Sequence, residues 1–200
     1  MKVFKASGVN YTERMIDAHP SWLVSECIAG NEDAIEFLIR HYEVGVFKLA
    51  LSILDDSAEA TEITQETFIA ALRSLKKYQE QQSFKAWLYT IVVNLSRSHL
   101  RKRKTLDRLR ATLTTLFRVE LQKQLLPEDT VIQNEKEVIL WTSLNQLDER
   151  HRIVVVLRYF HDLSINEISE ILSIHEGTIH SRLHTAREKL RSALVDINGE

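Results

Sequence analysis

From about residue 21 onward, the apolar positions of this chain fall at spacings that gather them on one side of successive helices. Ser21 can cap a short helix over Trp22–Ala29 that stops at Gly30, and Glu32 or Asp33 opens a second through Phe37, Leu38 and Tyr42 to Leu54. Asp55 and Asp56 break that run. Asp56 followed by Glu59 is the acid-capped start of a third helix reaching about Lys76. On it Thr64, Phe68, Ala71, Leu72 and Leu75 share one face, while Glu62, Gln65, Glu66, Ile69 and Arg73 share the other. The first face is core; the second is left for something outside it.

The polar stretch Lys77–Ser83 reads as a loop, and Phe84–Arg103 as a helix burying Trp87, Leu88, Ile91 and Leu95. A connector follows over 105–135, with Pro127 near its end. Its first half carries Leu106, Leu109, Leu113, Leu116 and Phe117 on one stripe, which predicts a helical segment docked against a domain. Beyond it come Val138–Leu147, then Glu149–Phe160, then two short helices. Ser164 and Glu167 form a capping box ahead of Ile168, Ile171 and Leu172. The short turn Ser173–Glu176 leads to a last helix starting near Gly177 or Thr178, and two helices so joined meet steeply, as in a helix-turn-helix. Residues 1–20 show no clear period and read as a flexible arm to which no function is assigned.

The expected fold class is therefore all-α: two small helical domains, 21–104 and 136–200, joined by a partly helical linker over 105–135, the second ending in a helix-turn-helix. Composition agrees. Five Gly and two Pro among 200 residues leave too little turn punctuation for a many-stranded sheet. The net charge of -2 excludes a uniformly basic nucleic-acid coat. Charge is instead local: Arg97–Arg110 holds seven Lys or Arg against the single acid Asp107, a run that suits either DNA contact or a solvated helix end favoured by the helix dipole.

Cys27 is the only cysteine, so no intrachain disulfide can form, and a buried apolar role is expected of it. With no metal-spaced Cys/His cluster and no eighteen-residue apolar run, the expectation is a cytoplasmic protein without metal, cofactor or direct membrane insertion. No Gly-rich phosphate loop, paired metal ligands or nucleophile elbow suggests an enzyme.

Two surfaces suit nucleic acid. On the last helix Ile179, Leu183, Ala186 and Leu190 face inward, leaving His180, Ser181, His184, Thr185 and Glu188 outward, with Arg182, Arg187, Lys189 and Arg191 on the flanks. Short polar side chains near a helix N-terminus read base edges, and flanking cations grip phosphates. In the first domain Tyr78, Phe84, Trp87 and Tyr89 lie beside Lys85, Asn94, Arg97 and Arg101, the mixture of rings, amides and cations that holds an unstacked base. Trp87 shares a face with Leu88 and Ile91 and reads better as core, whereas Lys85 and Tyr89 point away from that face.

In order along the chain, Glu32-Asp33-Ala34-Ile35-Glu36-Phe37-Leu38, Ala60-Thr61-Glu62-Ile63-Thr64-Gln65-Glu66-Thr67-Phe68, Phe84-Lys85-Ala86-Trp87-Leu88-Tyr89 with Asn94, and Gly177-Thr178-Ile179-His180-Ser181-Arg182-Leu183 resemble the extracytoplasmic-function (ECF) group of the bacterial sigma-70 superfamily. The resemblance implies an RNA polymerase sigma factor that directs promoter recognition, melting and transcription initiation. It implies region 2 over 21–104 and region 4 over 136–200. Partners implied are the clamp helices and flap of core RNA polymerase, promoter DNA both duplex and single-stranded, and an anti-sigma factor. Glu62, Gln65, Glu66 and Ile69 would bind core polymerase. Tyr78, Ser83, Lys85, Tyr89, Asn94, Arg97 and Arg101 would take the -10 element, and Thr178, His180, Ser181, Arg182, His184, Thr185 and Arg187 the -35 element. The connector of related proteins threads toward the RNA exit path. Three positions depart from the pattern: Asp148 stands where Pro is usual, His175 where Ser caps the helix, and His180 where a basic residue is usual. The alternative from another class is a dimeric helix-turn-helix regulator that binds an operator through the same last helix.

Overall fold

The computed structural model describes residues 4–6, 9–11, 20–79, 83–117, 143–144 and 146–197, with side chains over 21–79, 83–109, 143–144 and 146–191. Its helices are α1 (Pro20–Ile28), α2 (Glu32–Leu54), α3 (Ser57–Ser74) and α4 (Phe84–Phe117), then α5 (Glu149–Val155), α6 (Ile165–Leu172) and α7 (Glu176–Ile197). A 3-10 turn, Leu75–Lys77, extends α3, and α5 runs on into a π-helical turn, Val156–Phe160. The architecture is all-α in two helical modules, as expected, with one addition. Within the expected N-terminal arm, β1 (Phe4–Ala6) pairs antiparallel with β2 (Val9–Tyr11), Phe4 opposite Tyr11. Three β-prone residues, Phe4, Val9 and Tyr11, favour this short pairing.

Caps decide where the helices begin. Asn31 Oδ1 accepts from the Ala34 backbone N–H, Asp56 Oδ1 from Glu59, and Ser164 Oγ from Glu167. The last is a full capping box, because the Glu167 carboxylate in return accepts from the Ser164 backbone N–H at 2.8 Å. Asp55 and Asp56 divide the work between α2 and α3: Asp55 ends α2 in the left-handed region at φ +57°, and Asp56 starts α3 from extended backbone. α7 begins at Glu176, slightly ahead of the expected Gly177 or Thr178, with the His175 carbonyl accepting from Thr178 and Ile179.

α2, α3 and α4 pack as a three-helix module with α1 against α2. Leu38, Val46, Leu49, Ile63, Leu88 and Val92 are its buried centre. Thr64 and Thr67 are buried within it, each hydroxyl donating back to the carbonyl four residues earlier at 2.7 Å, so neither is left unsatisfied. Cys27 is buried as expected, and burial, followed by the neighbouring Glu26, pushes its thiol up to about 11. In the second module Leu144, Ile153, Leu157, Ile168, Ile179 and Leu183 close the core between α5, α6 and α7.

Two expectations need correction. α4 does not stop near Arg103 but continues unbroken to Phe117, a single helix of 34 residues that crosses the expected boundary at 104. No Gly or Pro interrupts the sequence there, and Leu, Arg and Lys favour continuation. The leucine stripe is helical, but Leu106 and Leu109 are 52% and 55% exposed, so they are not buried against either module. The side chains of Leu113, Leu116 and Phe117 lie outside the described residues, as do connector residues 118–135 and the expected Val138–Leu147 helix apart from positions 143, 144, 146 and 147.

The Ser164 box supplies the clearest stability test, since it starts the helix on which α7 rests. Ser164→Ala should lower unfolding stability by about 1 kcal/mol, read as a shifted denaturant midpoint at unchanged slope.

Candidate nucleic-acid interface

α6 and α7 form the anticipated helix-turn-helix. The turn is closed twice by one residue: Ser169 Oγ donates to the Ile174 carbonyl at 2.6 Å, and the Ser169 carbonyl accepts from the Ile174 N–H. Ser173 takes the left-handed conformation, φ +53°, that ends α6. Ile179, Leu183 and Ala186 are buried on the inner face of α7 and Leu190 packs partly against them. Thr178, His180, Ser181, His184 and Arg187 are exposed and Arg182 is half-buried on the flank, while Thr185, expected outward, is half-buried. A helix so seated offers its N-terminal polar residues to a major groove.

Asp148, one of the departures from the family pattern, precedes α5 without capping it through its side chain. Its carboxylate instead pairs with His151, lies 3.3 Å from Arg150 Nε and reaches to 3.9 Å from Lys189 Nζ on α7. Burial would raise this carboxyl, but the His151 hydrogen bond and charge, then Lys189 and Arg150, outweigh it and hold it below the ordinary range. Proline could make none of these contacts.

On α3, Glu62, Gln65 and Glu66 are exposed, and Ile69 is 50% exposed among them, opposite the buried Thr64, Phe68 and Ala71. An apolar side chain left in solvent within an acidic face is a feature of partner-binding surfaces.

The first module's aromatic residues form a cluster rather than an open platform. Tyr78, Phe84 and Trp87 lie 5.3–5.5 Å from one another, and Tyr42 stands 5.3 Å from Phe84. Phe84 is buried, whereas Tyr78 and Trp87 are half-buried and keep one side toward solvent. Ser83, Asn94 and Arg101 are exposed. Arg97 is half-buried, with its Nε 3.9 Å from Glu149 of α5.

Tyr89 differs from the expectation that it points outward to DNA: it is only 2% exposed. What covers it is the second module. His161, at the end of the π turn, sets Nδ1 3.0 Å from the Tyr89 hydroxyl, ring edge against ring at 4.7 Å. Lys85 is engaged as well, its ammonium donating to the His161 carbonyl at 2.6 Å. The wider π winding ends in Asp162 at φ +53°, and Arg158 donates to the Leu163 carbonyl at 2.7 Å across that turn. Arg152, buried on α5, lies 3.7 Å from the Asp55 carboxylate at the end of α2. These contacts join the two modules face to face. Sequence reasoning had no signal for His161, which lies in no motif and meets Tyr89 from 72 positions away.

Among the described residues no group of three His, Cys, Asp or Glu could hold a metal ion, and no helix is long and apolar enough to cross a membrane. Compared with known families, residues 38–105 match Sigma-70 region 2 and residues 137–190 match Sigma-70 region 4. The chain is 33% identical over 173 residues to the ECF RNA polymerase sigma factor SigW of Bacillus subtilis, spanning 84% of this chain and 92% of that one. It is 30% identical to the RNA polymerase sigma-H factor of Pseudomonas aeruginosa, spanning 86% and 92%. Its fold resembles that of the sigma factor RpoE of Bartonella quintana, solved with the anti-sigma factor NepR, at a TM-score of 0.65 and 21% identity over 80% of this chain and 95% of that one. It also resembles CnrH, solved with the cytosolic domain of CnrY, at 0.60 and 24% over 88% and 96%.

His161 makes the junction between the modules sensitive to acid. Burial first, then Lys85 from α4 and Lys48 from α2, push its imidazole down from 6.5 to about 4, while burial, with Tyr42 nearby, pushes the Tyr89 phenol up. The packed arrangement thus holds fewer protons than an exposed ring would. Its stabilisation is complete above the exposed value and is lost as pH falls from there through the buried one. The His161 ring resonance in the full chain should titrate with a midpoint near 4. A midpoint at the ordinary 6.5 would mean that the ring sits in solvent.

Proposed function

The chain belongs to the ECF group of sigma-70 factors, RNA polymerase sigma factors that bind core polymerase and promoter DNA to start transcription, and from that premise we propose which residues do each part of the work. The observation that carries the assignment is the solvent face of α3, where Ile69 stands exposed among Glu62, Gln65 and Glu66. These four residues bind the clamp helices of core polymerase: the acids steer the approach and Ile69 supplies apolar contact. A dimeric operator-binding regulator would use α7 in the same way, but it gives this face no task.

Residues 21–104 act as region 2 and residues 136–200 as region 4, which also meets the polymerase flap. Tyr78, Ser83, Lys85, Tyr89, Asn94, Arg97 and Arg101 take the -10 element, stacking on and bonding to a base flipped from the opening duplex. Binding of the exposed strand offsets the few kcal/mol that unpairing costs, so this chain needs no catalytic chemistry of its own. Thr178, His180, Ser181, Arg182, His184, Thr185 and Arg187 take the -35 element in duplex DNA. His180 presents an imidazole where a guanidinium would grip guanine bidentately, so the preference at that base differs from that of relatives with a basic residue there. The protein works in the cytoplasm, where polymerase is. It also accepts an anti-sigma factor, a reading supported by the two fold relatives, each solved with a partner of its own.

Run-off transcription with core polymerase and a promoter library tests the whole. Specific starts should appear only when the chain is added. Glu66→Arg or Gln65→Arg should weaken core binding about tenfold or more while leaving the full chain's affinity for duplex DNA intact. Parallel loss of both would mean misfolding and would strip the α3 face of its role. In the same assay His180→Arg should tighten duplex binding and shift the preferred base at one -35 position, read by sequencing the bound DNA.

A further inference from the structure

We propose that the free chain occludes its own strand-reading surface, with His161 of the second module as the latch that must leave Lys85 and Tyr89 before opened promoter DNA can enter. This rests on the reading of Lys85 and Tyr89 as -10 contacts and goes beyond it.

Three features carry the proposal. The latch engages both residues at once: the Lys85 ammonium is held by the His161 carbonyl at 2.6 Å and the Tyr89 hydroxyl by the ring at 3.0 Å. While so held, the buried Tyr89 is closed to a base, and one of the three donors of the half-buried Lys85 is already engaged.

Second, α2 is shaped to let the latch form. Gly45 lies within that 23-residue helix, where glycine costs about 1 kcal/mol relative to alanine. A Cβ there would fall 2.5 Å from the Tyr89 hydroxyl and 3.8 Å from His161 Cε1. The missing side chain is the space into which the hydroxyl fits.

Third, the polar part of the junction is incompletely satisfied, beside the packing of α6 on α4 and of α5 on α2. His161 Nε2 is buried with no partner among the described residues, and an unsatisfied buried nitrogen weakens the closed state. The flanking contacts between modules are long: Arg97 to Glu149 at 3.9 Å and Arg152 to Asp55 at 3.7 Å. A surface that was meant to stay closed would satisfy that nitrogen. By contrast, the α3 face and the outer face of α7 remain exposed in the closed chain. Polymerase and duplex can therefore engage first, and their binding can separate the modules.

The test uses the full chain without polymerase, comparing wild type with Gly45→Ala and His161→Ala. Small-angle scattering reads separation of the modules, and fluorescence anisotropy with a labelled random-sequence single strand reads access. Both variants should expand, and strand affinity should rise about tenfold, with Lys85→Ala in the His161→Ala background removing the gain. Gly45→Ala guards against misfolding, because alanine favours the helix it enters. Unchanged scattering in both variants would overturn the latch, whatever the -10 residues do. Expansion without a gain in affinity, while Lys85→Ala still weakens binding in the opened chain, would overturn occlusion and leave the -10 assignment standing. Expansion with Lys85→Ala silent would overturn the -10 assignment and the proposal with it.

Discussion

A helix can bury one stripe of its surface, and in a chain built almost wholly of helices that limit determines what is left for partners. α3 illustrates it: with Thr64, Phe68 and Ala71 turned inward, Glu62, Gln65, Glu66 and Ile69 must face out, because they lie half a turn away. The same holds for α7, where burial of Ile179, Leu183 and Ala186 pushes His180, Ser181 and His184 into solvent. The core and the two recognition faces are thus one pattern seen from opposite sides. A substitution that shifted the buried stripe by one residue would turn the recognition face as well.

The surface proposed for the -10 element obeys a different rule, because two modules share it. α4 buries Leu88 and Val92 in its own module and lends Lys85 and Tyr89 to the other. A tyrosine suits such a position: its ring is apolar enough to be covered and its hydroxyl polar enough to find a partner in either state. The joint is electrostatically restrained as well. Lys85 and Lys48 stand near a buried imidazole, so the ring stays neutral and can accept from the phenol. Burial is the larger cause of that neutrality, and the two cations add to it.

Local chemistry was readable in advance where one stretch of chain contains it all. Asp56 with Glu59, Ser164 with Glu167, and the alternation of faces on α3 and α7 lie within a turn or two of sequence, and each element forms where those residues put it. What escaped needs residues far apart. Nothing near Tyr89 announces His161, nothing near Asp55 announces Arg152, and the tolerance for Gly45 inside a long helix has a cause only once the Tyr89 hydroxyl is seen beside it. The boundary at Arg103 failed for the opposite reason. A run of cations suits a helix end, but without a glycine or proline the backbone has no reason to stop there. Asp148 is intermediate: its mismatch with the family pattern was visible, yet its contact with Lys189 depends on how α7 folds back over α5.

The distribution of covered and uncovered surfaces has a temporal consequence. On the proposed assignment, duplex recognition needs no prior change in the chain, since the outer face of α7 is exposed while the modules are packed. Strand capture through Lys85 and Tyr89, as proposed, does need one, since Tyr89 is buried against His161 in the packed chain. A sigma factor must not hold single strands away from a promoter, where any unpaired stretch would compete through sequence-tolerant stacking and charge. Coupling access for the strand to separation of the modules removes that competition without weakening the site itself. The cost is the apolar packing of α6 on α4 and of α5 on α2 together with the polar contacts at the junction, one of whose nitrogens is unsatisfied. The strength of the joint is then part of its use in the proposed scheme: a tighter one would keep the strand out even on polymerase, and an absent one would leave Lys85 and Tyr89 open to any unpaired DNA.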